Sequence, residues 1–180
     1  MDAITMIEER RSVRRFKEEK VDRALVSEIV SAATFSPTWA NTQIVRYTVI
    51  DNKEMLLKLG AECFNDFLPN GAIFSTAAGA FVVSYVKGKS GCAPDGSYAT
   101  VKGGGWEMFD ADIATQTLCL ASYAKGVGTV ILGLFDENKI AELIGLSKDQ
   151  TVATIIPYGY EVKHTVTANR KPLEEVISFL

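Results

Sequence analysis

Cysteine is scarce: Cys63, Cys92 and Cys119 are the only three in 180 residues, and their spacing suits neither a disulfide framework nor a structural zinc site. Histidine is scarcer still. His164 stands alone between polar residues, where exposure is expected, and no His, Cys and acid constellation marks covalent hydrolysis or a metal site. No apolar run reaches the roughly 20 residues that a membrane span needs, and Met1 to Arg10 carries neither a basic leader nor a long apolar segment, so a soluble cytoplasmic chain is expected. The glycine patterns GxGxxG and GxxxxGK[ST] are both missing, which leaves the usual dinucleotide and triphosphate loops without support. An excess of positive charge is missing too. The formal net charge is −3, and no second basic stripe joins the cluster of Arg10, Arg11, Arg14, Arg15, Lys17 and Lys20. Nucleic acid is therefore a poor partner, and a small phosphorylated ligand a better one. The alternative is a solvated patch whose arginines exchange ion pairs with Glu8, Glu9, Glu18 and Glu19.

The length fits one sizeable core, whereas two independent halves would each be marginal, so residues 1–180 are expected to form a single domain. Its organising stretch is Gly126 to Phe135, entered from a helical run over about Glu107 to Lys125. That helix is nearly free of charge between Ile113 and Ala124, and the branched residues Val127, Thr129, Val130 and Ile131 after it predict a central strand. Gly126 and Gly128 supply a helix stop and a close turn, and Gly133 ends the strand where main-chain N–H groups can face a ligand; plain turn punctuation is the competing reading. Upstream, residues 2–9 predict a short helix, Asp22 a cap for a helix ending before Pro37, and Val45–Ile50 a strand. Residues 53–68 predict a helix, Pro69-Asn70-Gly71 a turn, and Ala80–Val86 a buried strand. Asp136 starts a helix closed by Gly145. A strand over Thr151–Ile156 is expected to be interrupted by Pro157 to Tyr160.

Several positions carry chemistry. Arg10, Ser12 and Arg14 could surround a phosphate with charged forks and a hydroxyl. Asn41 and Gln43, in a constrained loop, could face the carbonyls and N–H groups of a heteroaromatic ring, or simply cap turns. Arg170 could complete an anion site or stand as a free surface charge. The glycine-rich segment Lys87 to Trp106, with Tyr98 and Trp106 as bulky groups, is expected to form a mobile lid or partner-facing loop. An apolar side on the C-terminal tail, Leu173, Val176, Ile177, Phe179 and Leu180, needs something to cover it. Anion-binding and amide groups are plentiful and nucleophiles few, which favours chemistry carried by a bound cofactor.

Taken together and in order, four segments resemble those of the FMN-dependent nitroreductase family: Arg10 to Phe16, Ser36 to Gln43, Gly126 to Asp136, and Tyr158-Gly-Tyr160 with Arg170 to Ile177. The resemblance implies a mixed α/β sandwich with a central antiparallel-rich sheet surrounded by helices, and an intertwined homodimer with FMN at the interface and the tail on the partner subunit. It implies cofactor contacts at Arg10, Arg11, Ser12, Arg14, Asn41, Gln43, Gly133, Leu134 and Arg170, and no metal. NADH or NADPH would be the transient reductant and a small acceptor, such as a nitroaromatic or quinone, the substrate. Dehalogenating and flavin-fragmenting enzymes, and FMN-binding or sensing proteins, are the alternatives. Two departures stand out: Ile44-Val45 follows Gln43 where many relatives continue Pro-Trp, and Gly133 replaces an acidic residue of some branches.

Overall fold

The computed structural model describes residues 2–64 and 67–180. Among the described residues, six α-helices and four strands follow one another: α1 (Ala3–Glu9), α2 (Arg23–Ala33), β1 (Val45–Ile50), α3 (Lys53–Glu62), α4 (Leu68–Ile73), β2 (Gly79–Val86), α5 (Gly105–Ala124), β3 (Gly128–Thr129), α6 (Glu137–Ile144) and β4 (Gln150–Gly159). The strands form one antiparallel sheet in the order β1-β2-β4-β3. Helix starts follow the caps legible in sequence. Asp22 accepts from Ala24 N–H, Asp136 accepts from Lys139 N–H, and Gly145 closes α6 with φ 61°, a conformation glycine adopts at little cost.

β2 and β4 make the centre of the sheet, and Ala80, Phe81, Val82 and Val83 are wholly buried between layers. One layer packs Leu56, Leu59, Phe74 and Ile140 against the sheet; the other packs Ile29 of α2 and Leu118 and Cys119 of α5 against Phe81 and Tyr158. α5 is thus covered on several sides, which explains its sparse charge.

Four local expectations are corrected. The segment after α5 is extended, yet it lies at the edge of the sheet and not at its centre. It holds one register along β4 from Gly128 opposite Gly159, through Thr129 opposite Tyr158, to Leu132 opposite Ile155. Val130 N–H donates to the Pro157 carbonyl, but Pro157 has no N–H to return, so regular pairing lapses there. Pro157 itself does not interrupt β4, which runs through to Gly159, because the missing donor faces this short edge segment. Finally, Pro69-Asn70-Gly71 is not a turn but part of α4, with the proline in the first helical turn, where its missing donor has no intrahelical role. The expected single helix over 53–68 ends at Glu62, and Asn65 and Asp66 lie outside the described residues.

Candidate functional site

The basic segment is stitched to the sheet edge. Ser12 pairs in parallel with Thr129, Val13 N–H donates to the Thr129 carbonyl at 2.9 Å, Lys17 N–H donates to Tyr160, and Phe16 pairs with Glu161. Val13 and Phe16 are buried, Arg14 and Arg15 between them are exposed, and Arg10 to Ser12 before them are half-buried. Two glycines admit this approach: a Cβ on Gly128 would lie 2.8 Å from Val13 Cγ2, and one on Gly159 would lie 3.0 Å from Phe16 Cβ. Gly128 is thus needed for backbone-to-side-chain contact with the basic segment.

Arg10 and Arg11 are half-buried, and the Nε of each is shielded from solvent without a partner among the described residues. An unpaired buried donor is unfavourable, which makes these guanidiniums receptive to an anion. Arg11 also donates to the Arg10 carbonyl at 2.8 Å and to Thr167 Oγ1 at 2.6 Å, tying the start of the tail to this turn. Arg14 is exposed, with a single long contact of 3.4 Å from Nη1 to the Ser12 carbonyl. Both Arg10 and Arg11 line a cavity of about 80 Å³ together with Tyr123, Gly128 and Thr129.

Gly133 follows directly on the last paired residue of the edge segment. It is exposed, space is open where its Cβ would be, and neither its amide nor that of Leu134 donates a backbone hydrogen bond among the described residues. Four extended residues separate Thr129 from Gly133, about 13 Å. One edge therefore carries cationic groups at one end and free main-chain donors at the other. Asn70 of α4, which the sequence reading missed, joins this end by donating to the Leu134 carbonyl at 3.4 Å.

Asn41 and Gln43 are elsewhere. Val45, just beyond them, lies opposite Tyr85, which lies opposite Thr151, whereas Thr129 at the basic turn lies opposite Tyr158. Three strand spacings across and about seven residues along put the two corners of the sheet roughly 25 Å apart. Within one chain the amide loop and the basic turn do not meet. Arg170 does not join them either: it is exposed in the tail and, among the described residues, donates only to the nearby carbonyls of Ala168 and Asn169.

The amide loop has an unusual backbone, with Ala40, Asn41 and Gln43 all at positive φ (44°, 57° and 49°). Its anchor is Asp110 on α5, 2% exposed, whose carboxylate oxygens each accept from Trp39 N–H at 3.1 Å. Sequence reading passed over Asp110 because nothing local distinguishes one acid in a helix from another. The segment from Lys87 to Trp106, expected to be a mobile lid or partner-facing loop, is tied to α5 and to the amide loop at its two ends. Glu107 accepts from Gly88 N–H, Ser90 Oγ donates to Asp110 at 2.7 Å, and Trp106 packs against Trp39 with ring centroids 4.9 Å apart and planes tilted by 54°. Tyr98 remains 62% exposed on its surface.

The Nitroreductase family model matches residues 7–160. The chain belongs to the nitroreductase family. A provisionally named NADH dehydrogenase/NAD(P)H nitroreductase of Methanothermobacter thermautotrophicus is 28% identical over 171 residues, covering 93% of this chain and 81% of that protein. The iodotyrosine deiodinase of Hydra vulgaris is 25% identical over 190 residues, covering 93% and 69%. In fold, a provisionally named nitroreductase of Exiguobacterium sibiricum, solved in complex with FMN, superposes with TM-score 0.81 at 20% identity over 100% of this chain and 98% of that one. The expected mixed α/β fold with an antiparallel sheet is the one observed.

Proposed function

We propose that this nitroreductase-family chain is an FMN-dependent oxidoreductase that takes electrons from NADH or NADPH and delivers them to a small acceptor such as a nitroaromatic or quinone. The observation that carries this reading is the sheet edge with buried, unpartnered guanidinium nitrogens at Arg10 and Arg11 and unpaired main-chain donors at Gly133 and Leu134. That donor set suits an elongated ligand with an anion at one end and a heteroaromatic acceptor at the other. FMN, when bound, supplies hydride transfer at its ring nitrogen N5. The chain would supply position and polarity. Arg10, Arg11, Ser12 and Arg14 would hold the phosphate away from the chemistry, and the Gly133 and Leu134 amides would donate at the ring edge.

The remaining cofactor positions are accounted for by a second copy of the chain. Asn41 and Gln43 stand at the opposite corner of the sheet from the basic turn, so they would reach a flavin held by the partner's edge segment. The tail supports the same arrangement: Leu173, Val176, Phe179 and Leu180 are all more than 60% exposed, an apolar surface that association would cover. Arg170 would come with it.

The deciding experiment is the absorbance spectrum of the purified protein, with chromatographic identification of the released cofactor, followed by anaerobic stopped-flow mixing with NADH and NADPH. Absence of stoichiometric flavin sinks the cofactor assignment, and a flavin that neither nicotinamide bleaches sinks the donor assignment. The similarity to a deiodinase favours reductive dehalogenation as the second reading, which product analysis with halogenated phenols separates from reduction of nitro groups and quinones. Retained FMN without turnover on any acceptor would indicate a binding or sensing protein.

A further inference from the structure

We infer that Asp110 is a positioning residue through which the Lys87–Trp106 segment sets the conformation of the amide loop around Asn41 and Gln43. The inference rests on the flavin reading above for its catalytic consequence, but its geometry is independent of it. Asp110 is buried on α5 and receives donors from two directions, Trp39 N–H from the loop and Ser90 Oγ from the segment. Ser90 is wholly buried. A second link runs in parallel, because Trp39 packs in a tilted contact against Trp106, whose Nε1 donates to Thr100 Oγ1 at 2.8 Å. Gly91 underlies that ring: its φ is 73°, and a Cβ there would lie 2.7 Å from Trp106 Cδ1. The chain from Ser90 to Trp106 is therefore a strut.

The loop needs such support. Three non-glycine residues in the left-handed region are unfavourable in isolation and persist only where their surroundings hold them. Inside the loop, Thr38 Oγ1 accepts from Gln43 N–H at 3.0 Å. From outside, Arg46 on β1 donates to the Gln43 carbonyl at 2.8 Å, and Asp110 holds the start of the loop at Trp39, two residues before Asn41. A change at Ser90 is thereby felt at the amides expected to face the flavin ring, while the basic turn that would hold the phosphate lies at the far corner of the sheet.

The chain carries its own reporter, since Trp39 and Trp106 are its only two tryptophans and their rings are in contact, with centroids 4.9 Å apart. Their coupled near-ultraviolet circular dichroism can be recorded with or without FMN. Ser90→Ala is expected to lose at least half of that signal and to raise the KM for p-benzoquinone roughly three- to tenfold. FMN content, the thermal midpoint and the rate of flavin reduction by the preferred nicotinamide should stay within twofold or a few degrees of the parent. Asp110→Asn keeps an oxygen for Trp39 N–H and an amide for Ser90, and is expected to retain both readouts near parental values. Asp110→Ala should exceed Ser90→Ala. An unchanged tryptophan signal in Ser90→Ala overturns the strut; a lost signal with unchanged KM overturns its control of the loop. Parallel loss of thermal midpoint and all rates would reduce Asp110 to a structural role and overturn the proposal too. If the parent protein binds no FMN, the flavin reading fails on that observation alone. The tryptophan signal then decides whether Ser90 and Asp110 link the segment to the loop.

Discussion

Replacing Arg10 by alanine separates ligand binding from folding. In the free protein the Arg10 Nε is buried and unpaired, a donor whose desolvation is uncompensated by about 1–3 kcal/mol. Removing it relieves that penalty while forfeiting packing of the aliphatic stem, so the two effects oppose one another and apo stability should change by no more than about 1 kcal/mol. With phosphate present the same group would make a charge-assisted hydrogen bond of about 1.5–3 kcal/mol. Taking about 2 kcal/mol, affinity for FMN falls roughly thirtyfold. Linkage then gives a second, independent number. At an FMN concentration about 100 times the parental Kd, bound ligand stabilises the parent by about 2.7 kcal/mol. The variant at the same concentration, about three times its own Kd, keeps only about 0.9 kcal/mol. Urea melts with and without FMN, together with a fluorescence titration of flavin, measure all of these quantities. Unchanged FMN affinity would remove Arg10 from the phosphate site, and an apo loss above about 2 kcal/mol would show that its guanidinium is structural.

Further outcomes follow from the packing and the titrating groups. Gly79→Ala should destabilise the fold by about 1–3 kcal/mol through overpacking, because a Cβ there would overlap the buried ring of Tyr158; a urea midpoint equal to the parent's would contradict the packing. Burial pushes the Tyr158 hydroxyl up to about 12, against about 10 for an unfolded chain. The folded state therefore holds more protons between those values, and stability present below pH 10 is lost as pH rises towards 12. Tyr158→Phe should flatten that decline in a pH series of thermal melts, and an equally steep fall would assign it to other groups. Deleting residues 173–180 should weaken self-association in sedimentation velocity, and a full-length chain that sediments as a monomer at assay concentrations would reject the dimer.

What the sequence determined by itself was local. The caps at Asp22 and Asp136, the left-handed stop at Gly145, the buried strand from Ala80 and the exposed His164 each depend on a residue and its neighbours within a turn or two. Those interactions repeat in any fold that contains the element. The family, too, was legible, since four ordered segments needed no coordinates. Partner choice across the chain was decided only in three dimensions. The run after Gly128 reads as a core strand because its side chains are branched and apolar, but strand order placed it at the edge, and Pro157 opposite it cannot return a hydrogen bond, so its pairing is short. Pro69 reads as a break, yet a proline at the start of a helix loses nothing, and α4 formed around it. The separation of Arg10 from Asn41 likewise follows from strand order, which no local pattern encodes. Asp110 shows the same limit most directly. Its importance lies in Trp39, 71 residues away, and in Ser90, 20 residues away, both brought to its carboxylate by packing that only the folded chain provides.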